Sequence, residues 1–103
     1  MRNVYLKFYL TEKRQHNGSL LYEWLLDEAR RSGATGGSAF RAISGFGRHG
    51  RLHDESFFEL AGELPVQVEF VTDSTTADQL LDSLRAHQLN LFYVRYAVEA
   101  GVL

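Results

Sequence analysis

The chain has no cysteine, one proline and one tryptophan in 103 residues. Without thiols there is no disulfide scaffold, no cysteine-ligated zinc ribbon and no cysteine nucleophile. Long hydrophobic runs are missing too: no stretch approaches the ~20 apolar residues of a bilayer-crossing helix. Met1-Arg2-Asn3-Val4 leads straight into an alternating pattern instead of a signal sequence, so the expected location is cytoplasmic. A formal net charge of −2 offers little attraction for a phosphate backbone and argues against a nucleic-acid partner. What is present is ordinary globular composition. The 45% hydrophobic and 13% aromatic residues supply the apolar area that a disordered chain lacks. The length fits one domain over residues 1–103, small enough that association between copies would help to stabilise it.

The hydrophobic period changes along the chain, and each change marks an element. Val4 to Leu10 alternates with period two and is rich in aromatic and branched residues, which predicts a strand. After the polar stretch Thr11–Gly18, the residues Leu21, Trp24, Leu25 and Ala29 form the stripe of an amphipathic helix. Asn17 or Ser19 is its expected cap, Arg30 and Arg31 suit its negative end, and Gly33 stops it. A second strand is expected over Ser38–Ser44. A loop-rich segment follows from Gly45 to Glu63, with a short helix over Asp54–Leu60. Pro65–Val71 reads as a third strand that proline opens instead of interrupting. Ser74 or Thr75 is the expected cap of a second helix, in which Ala77, Leu80, Leu81 and Leu84 recur at helical spacing. Leu91–Glu99 is the last strand.

The order β-α-β-β-α-β predicts an α+β, ferredoxin-like sandwich: a four-stranded antiparallel sheet with both helices on one face. The other face would be bare in a monomer. Tyr5, Tyr9, Tyr93 and Arg95 are the residues expected to line it, a mixed surface suited to a partner subunit.

Charge is distributed in blocks. No acid occurs between Ala29 and His53, where Arg30, Arg31, Arg41, Arg48 and Arg51 lie; no Lys or Arg occurs between Asp54 and Asp82, where the acids gather. Such runs are commonly solvated faces. Here the basic block also carries Gly36, Gly37, Gly45, Gly47 and Gly50. Glycine lets main-chain N–H groups converge on an anion, and arginine supplies a planar fork for its oxygens. Arg41, Arg48, Arg51 and His53 are therefore candidate anion ligands.

Other chemistries fit less well. Gly45-Phe46-Gly47-Arg48-His49-Gly50 spells a dinucleotide fingerprint, but the residues up to Leu64 leave no room for the substantial helix that a Rossmann unit needs. His49 and His53 are four apart, yet Gly50 opposes the helix that would aim both at one metal ion. His16 and His87 read as isolated, solvated residues. No serine lies in a nucleophile elbow. The loop after the first strand lacks the glycine- and valine-rich signature by which small acyl-phosphate hydrolases of this topology hold phosphate.

Leu21-Tyr22-Glu23, the run from Gly36 to Gly47, Leu52-His53 and Leu64-Pro65-Val66 resemble the family of domain of unknown function 190. The match extends to Phe8-Tyr9-Leu10 and Glu12 and covers nearly the whole chain. Arg41, Gly45, Phe46, Gly47 and His53 fall on its motif, while Ala42 stands where the pattern has glycine and Ser38-Ala39 where it has threonine-valine. That family is similar to the PII signalling proteins. The resemblance implies a PII-like homotrimer with ligand clefts between subunits and a long loop joining the second and third strands. It implies a regulatory, non-catalytic protein that takes a small anion, an adenine nucleotide, as regulatory ligand and not as a resident cofactor. Its partner would be a membrane transporter or a fluoride channel. A metal-ion-tolerance type trimer binding divalent cations through His49 and His53 is the alternative, and a small phosphate-ester hydrolase the third reading.

Overall fold

A computed structural model describes residues 2–45 and 65–103. The alternation over Asn3–Thr11 produces β1, whose even residues Val4, Leu6, Phe8 and Leu10 are buried. Asn17 and Gly18 then take φ of 52° and 81°, the left-handed pair that a tight hairpin turn requires. They join two short strands, β2 (Gln15–His16) and β3 (Ser19–Leu20), inside what the sequence presents only as a polar stretch. Helix α1 (Leu21–Arg31) turns Leu21, Leu25 and Ala29 to the core. Neither expected cap serves it. Leu20 occupies the cap position, no side chain caps, and the Leu21 N–H donates to the Arg14 carbonyl at 2.7 Å. Asn17 is committed to the turn, and the main chain beside the hairpin supplies the acceptor instead.

Strand β4 spans Gly37–Arg41, beginning one residue earlier and ending sooner than the expected Ser38–Ser44. Beyond it the Ala42 N–H reaches the Pro65 carbonyl at 2.8 Å. Strand β5 (Pro65–Asp73), helix α2 (Ser74–Ala86) and strand β6 (Phe92–Val98) follow. The expected loop from Gly45 and the short helix over Asp54–Leu60 fall outside the described residues, apart from Gly45 itself. β5 runs on to Asp73, so Asp73, not Ser74 or Thr75, caps α2. Its carboxylate accepts the Thr76 N–H at 3.1 Å and the Thr76 hydroxyl at 2.6 Å, and these bonds hold its pKa below the ordinary value.

The long strands form an antiparallel sheet in the order β4-β5-β1-β6. Both helices cover the face that carries the even residues of β1. There Leu6, Phe8, Val68 and Phe70 meet Leu21, Leu25, Ala77 and Leu80 in one core. Each aliphatic side chain buried in this way contributes about 1.5–3 kcal/mol. The fold is the α+β ferredoxin-like sandwich that the element order predicts.

One close approach fixes the edge of this core. Gly37 pairs with Phe70 across the β4–β5 ladder, and a Cβ on Gly37 would stand only 2.4 Å from the Phe70 ring, with Leu26 also near at 3.3 Å. Phe70 is buried and packs edge-on against Phe8, so it has nowhere to retreat. Gly37→Ala should therefore destabilise the fold by about 1–3 kcal/mol through overpacking. The lowered urea midpoint should recover in Gly37→Ala/Phe70→Leu; an unchanged midpoint in the single variant would refute the contact.

Candidate functional site

The register brings Arg41, the chain leaving β4 and the start of β5 to one end of the sheet, where Thr11 pairs with Pro65 and Arg41 with Val66. Arg41 is the last residue of β4, with its side chain exposed. It is not free. Its Nε donates to Glu12 Oε1 at 3.1 Å and its terminal nitrogen to Glu12 Oε2, a two-pronged ion pair with the residue just past β1. The Arg41 hydrogen bond holds the Glu12 carboxyl below its usual range, and Glu12 in turn pushes the guanidinium up. The pair's stabilising contribution is thus present above the ordinary carboxylate pKa and is lost as pH falls through the lowered one. For a solvent-exposed pair that contribution is small.

Of the other sequence-predicted site residues, Gly45 is described and exposed, and among the described residues nothing lies within 4 Å of where its Cβ would stand. Phe46, Gly47, Arg48, Arg51 and His53 lie outside the described residues, as do His49 and Gly50. Gly36 and Gly37 do not join them. They sit at the opposite end of β4 from Arg41, ~13–17 Å away at strand spacing. Gly37 is there for Phe70, not for an anion. Glu12 is the residue that charge-block reasoning missed, because its tie to Arg41 spans 29 positions of sequence. Among the described residues no group of three or more His, Cys, Asp or Glu could hold a metal ion, and no helix is long and apolar enough to cross a membrane.

The sheet face away from the helices is the second feature. Tyr5 stacks on Tyr96 with ring centres 5.0 Å apart, and Tyr9 meets Phe92 at 5.5 Å. Lys7 lies between the two pairs, its Nζ 5.5 Å and 5.8 Å from the Tyr5 and Tyr9 rings and 3.6 Å from Glu69. Burial works against the Lys7 ammonium, but the Tyr5 hydroxyl and the negative oxygens around it outweigh that effect, and its pKa is raised. Phe40 and Val71 extend the apolar surface across β4 and β5. Tyr5 and Tyr9 lie where the sequence put them; Tyr93 and Arg95 do not. In the β1–β6 register Tyr93 pairs with Phe8 and Arg95 with Leu6, which turns both to the helix side. There Arg95 donates to Asp78 of α2 at 2.6 Å.

The sequence and the topology match a known group. The profile of DUF190, described as an uncharacterized ACR, covers residues 3–99. The chain belongs to the DUF190 family. This DUF190 chain is 29% identical over 80 residues to a UPF0166 protein of Aquifex aeolicus, spanning 78% of this chain and 76% of that one. It is 30% identical over 79 residues to a UPF0166 protein of Methanocaldococcus jannaschii, spanning 77% and 72%. Among solved structures it is similar to CPII of Thiomonas intermedia, a nitrogen regulatory PII-like protein bound to ADP, AMP and bicarbonate. That likeness has a TM-score of 0.59 at 15% identity and covers 99% of this chain and 98% of CPII. The fold of the DUF190 chain is PII-like.

Proposed function

We propose that this DUF190 chain is a PII-like regulatory protein of the cytoplasm that catalyses no reaction. It binds an adenine nucleotide at clefts between the subunits of a homotrimer and answers with a change in the segment after β4. That segment then engages a partner such as a membrane transporter or fluoride channel. The observation that carries this reading is the fold likeness to CPII, a protein crystallised with ADP, AMP and bicarbonate. Arg41 supports it: a guanidinium fixed at the end of a strand, at the root of the segment that begins with Gly45-Phe46-Gly47. The apolar open face supports the trimer, since Phe40 and Tyr96 remain 53% and 52% exposed in the single chain.

The mechanism is a population shift. A nucleotide held more tightly by one arrangement of the segment draws the molecule toward it. Arg41, with Arg48, Arg51 and His53, would meet the phosphates, and Gly45, Phe46 and Gly47 would let the main chain close on them. Isothermal titration calorimetry with ATP, ADP, AMP and cyclic AMP tests this reading. Saturable binding of at least one is expected, and absence of heat with all of them overturns it.

A further inference from the structure

The two histidines that look isolated in the sequence meet in the fold. His16, beside the hairpin turn, points its Nε2 at Nδ1 of His87, 3.3 Å away. Asn17 directs its side-chain N–H at the same His16 Nε2 at 3.3 Å, which makes that nitrogen the bearer of a lone pair on which two donors converge. Both contacts are long and therefore weak. Trp24 closes the cluster from α1, its ring 4.5 Å from His16 and 4.8 Å from His87. Each imidazole stands on a braced element. His16 belongs to β2, and His87 is the C-cap of α2, its N–H bonded to the Leu84 carbonyl.

We propose that His16 and His87 form a two-imidazole site for a borderline divalent transition ion, Zn2+ by its tetrahedral geometry. Two nitrogens bound at ~2.0–2.1 Å to one tetrahedral ion stand about 3.4 Å apart. The observed 3.3 Å separation meets that requirement with little movement of either ring. Binding exchanges the weak N–H contacts at His16 Nε2 for a coordinate bond. The proton on His87 Nδ1 moves to the ring's other nitrogen, so neutral His87 binds without net proton release. The surroundings favour a cation. His87 sits at the negative end of α2, and Glu28 lies near enough for the His87 charge to act on it. Glu28 is itself held by Ser83 and Arg31, and the Arg14 guanidinium is occupied by the Leu89 carbonyl, so Arg14 does not contend for the lone pairs. Among the described residues no third His, Cys, Asp or Glu completes the shell. The remaining positions fall to water, and the site is an exchangeable one. Cu2+ heads the divalent affinity order at nitrogen ligands and serves as the sensitive probe, although its tetragonal geometry would draw the two nitrogens closer than the tetrahedral ion does.

The site reports on itself, because Trp24 is the chain's one tryptophan. Titrating the full chain with Cu2+ should quench Trp24 emission saturably, and Zn2+ should raise the thermal midpoint. His16→Gln and His87→Gln should each weaken both responses by ~10-fold or more, while His49→Gln/His53→Gln should leave both at wild-type strength. The midpoints of the glutamine variants without metal check that each is folded, and the Zn2+ shift gives a readout independent of Trp24. Three results would overturn the proposal: no saturable quench, wild-type quench in both His16→Gln and His87→Gln, or loss of the responses in His49→Gln/His53→Gln. Nucleotide binding plays no part in either readout, so the nucleotide reading and this one stand or fall separately.

Discussion

In sedimentation velocity, the Val71→Asp chain should run as a monomer at concentrations where the wild type is expected to run as the proposed trimer. Val71 lies on β5, an inner strand of the sheet, on the face that the helices leave bare, and opposite Tyr5. It is 43% exposed in the single chain, so aspartate there is solvated before association and leaves the core untouched. Association would strip that carboxylate of water. Glu69 lies two residues away on the same strand face, and its carboxylate already holds Lys7, so the new charge finds a like neighbour. An uncompensated buried charge costs several kcal/mol per subunit, and every subunit of a symmetric assembly incurs it. Val71→Thr, of similar shape and without charge, should keep most of the assembly. A monomeric wild type, or a Val71→Asp chain that still assembles, would remove the open face from the interface and the trimer from the functional reading.

The same face explains where the sequence could be read and where it could not. β1 was legible because Val4, Leu6, Phe8 and Leu10 face a packed core while Lys7 breaks the other parity. On β6 the apolar parity, Phe92, Val94 and Tyr96, belongs to the open side, and Tyr93 and Arg95 face the helices. Hydrophobicity cannot tell two faces apart when both are apolar. Only the register against β1 decides, and a one-residue shift of parity exchanges the faces. Asp73 escaped notice as a cap because a strand's last residue and a helix's cap can be the same residue, which a pattern search assigns only once. β2 and β3 are too short to display any period. At the candidate site Arg41 stood out from its charge block and its glycine neighbours. Glu12 and the His16–His87 pair did not, because side chains 29 and 71 positions apart are neighbours only after folding.

Glu12 turns the nucleotide proposal into a sharper one. If Arg41 receives the anion, its present partner competes with the ligand, because Glu12 already fills both prongs of the guanidinium. Arg41→Ala should weaken adenine-nucleotide binding by ~10-fold or more, the loss expected for a charge-assisted, two-pronged contact. Glu12→Gln should act in the opposite direction. It keeps the shape and one acceptor but removes the charge, so the guanidinium is released toward the phosphates and affinity rises several-fold. In Glu12→Gln/Arg41→Ala the gain should vanish, leaving the affinity of Arg41→Ala alone, since the glutamate then has nothing to withhold. Calorimetric dissociation constants for the wild type and the three variants close this cycle. Should Glu12→Gln weaken binding as much as Arg41→Ala does, Glu12 orients the guanidinium and does not compete for it. If neither change moves the affinity, the anion binds elsewhere, and the end of β4 is not its site.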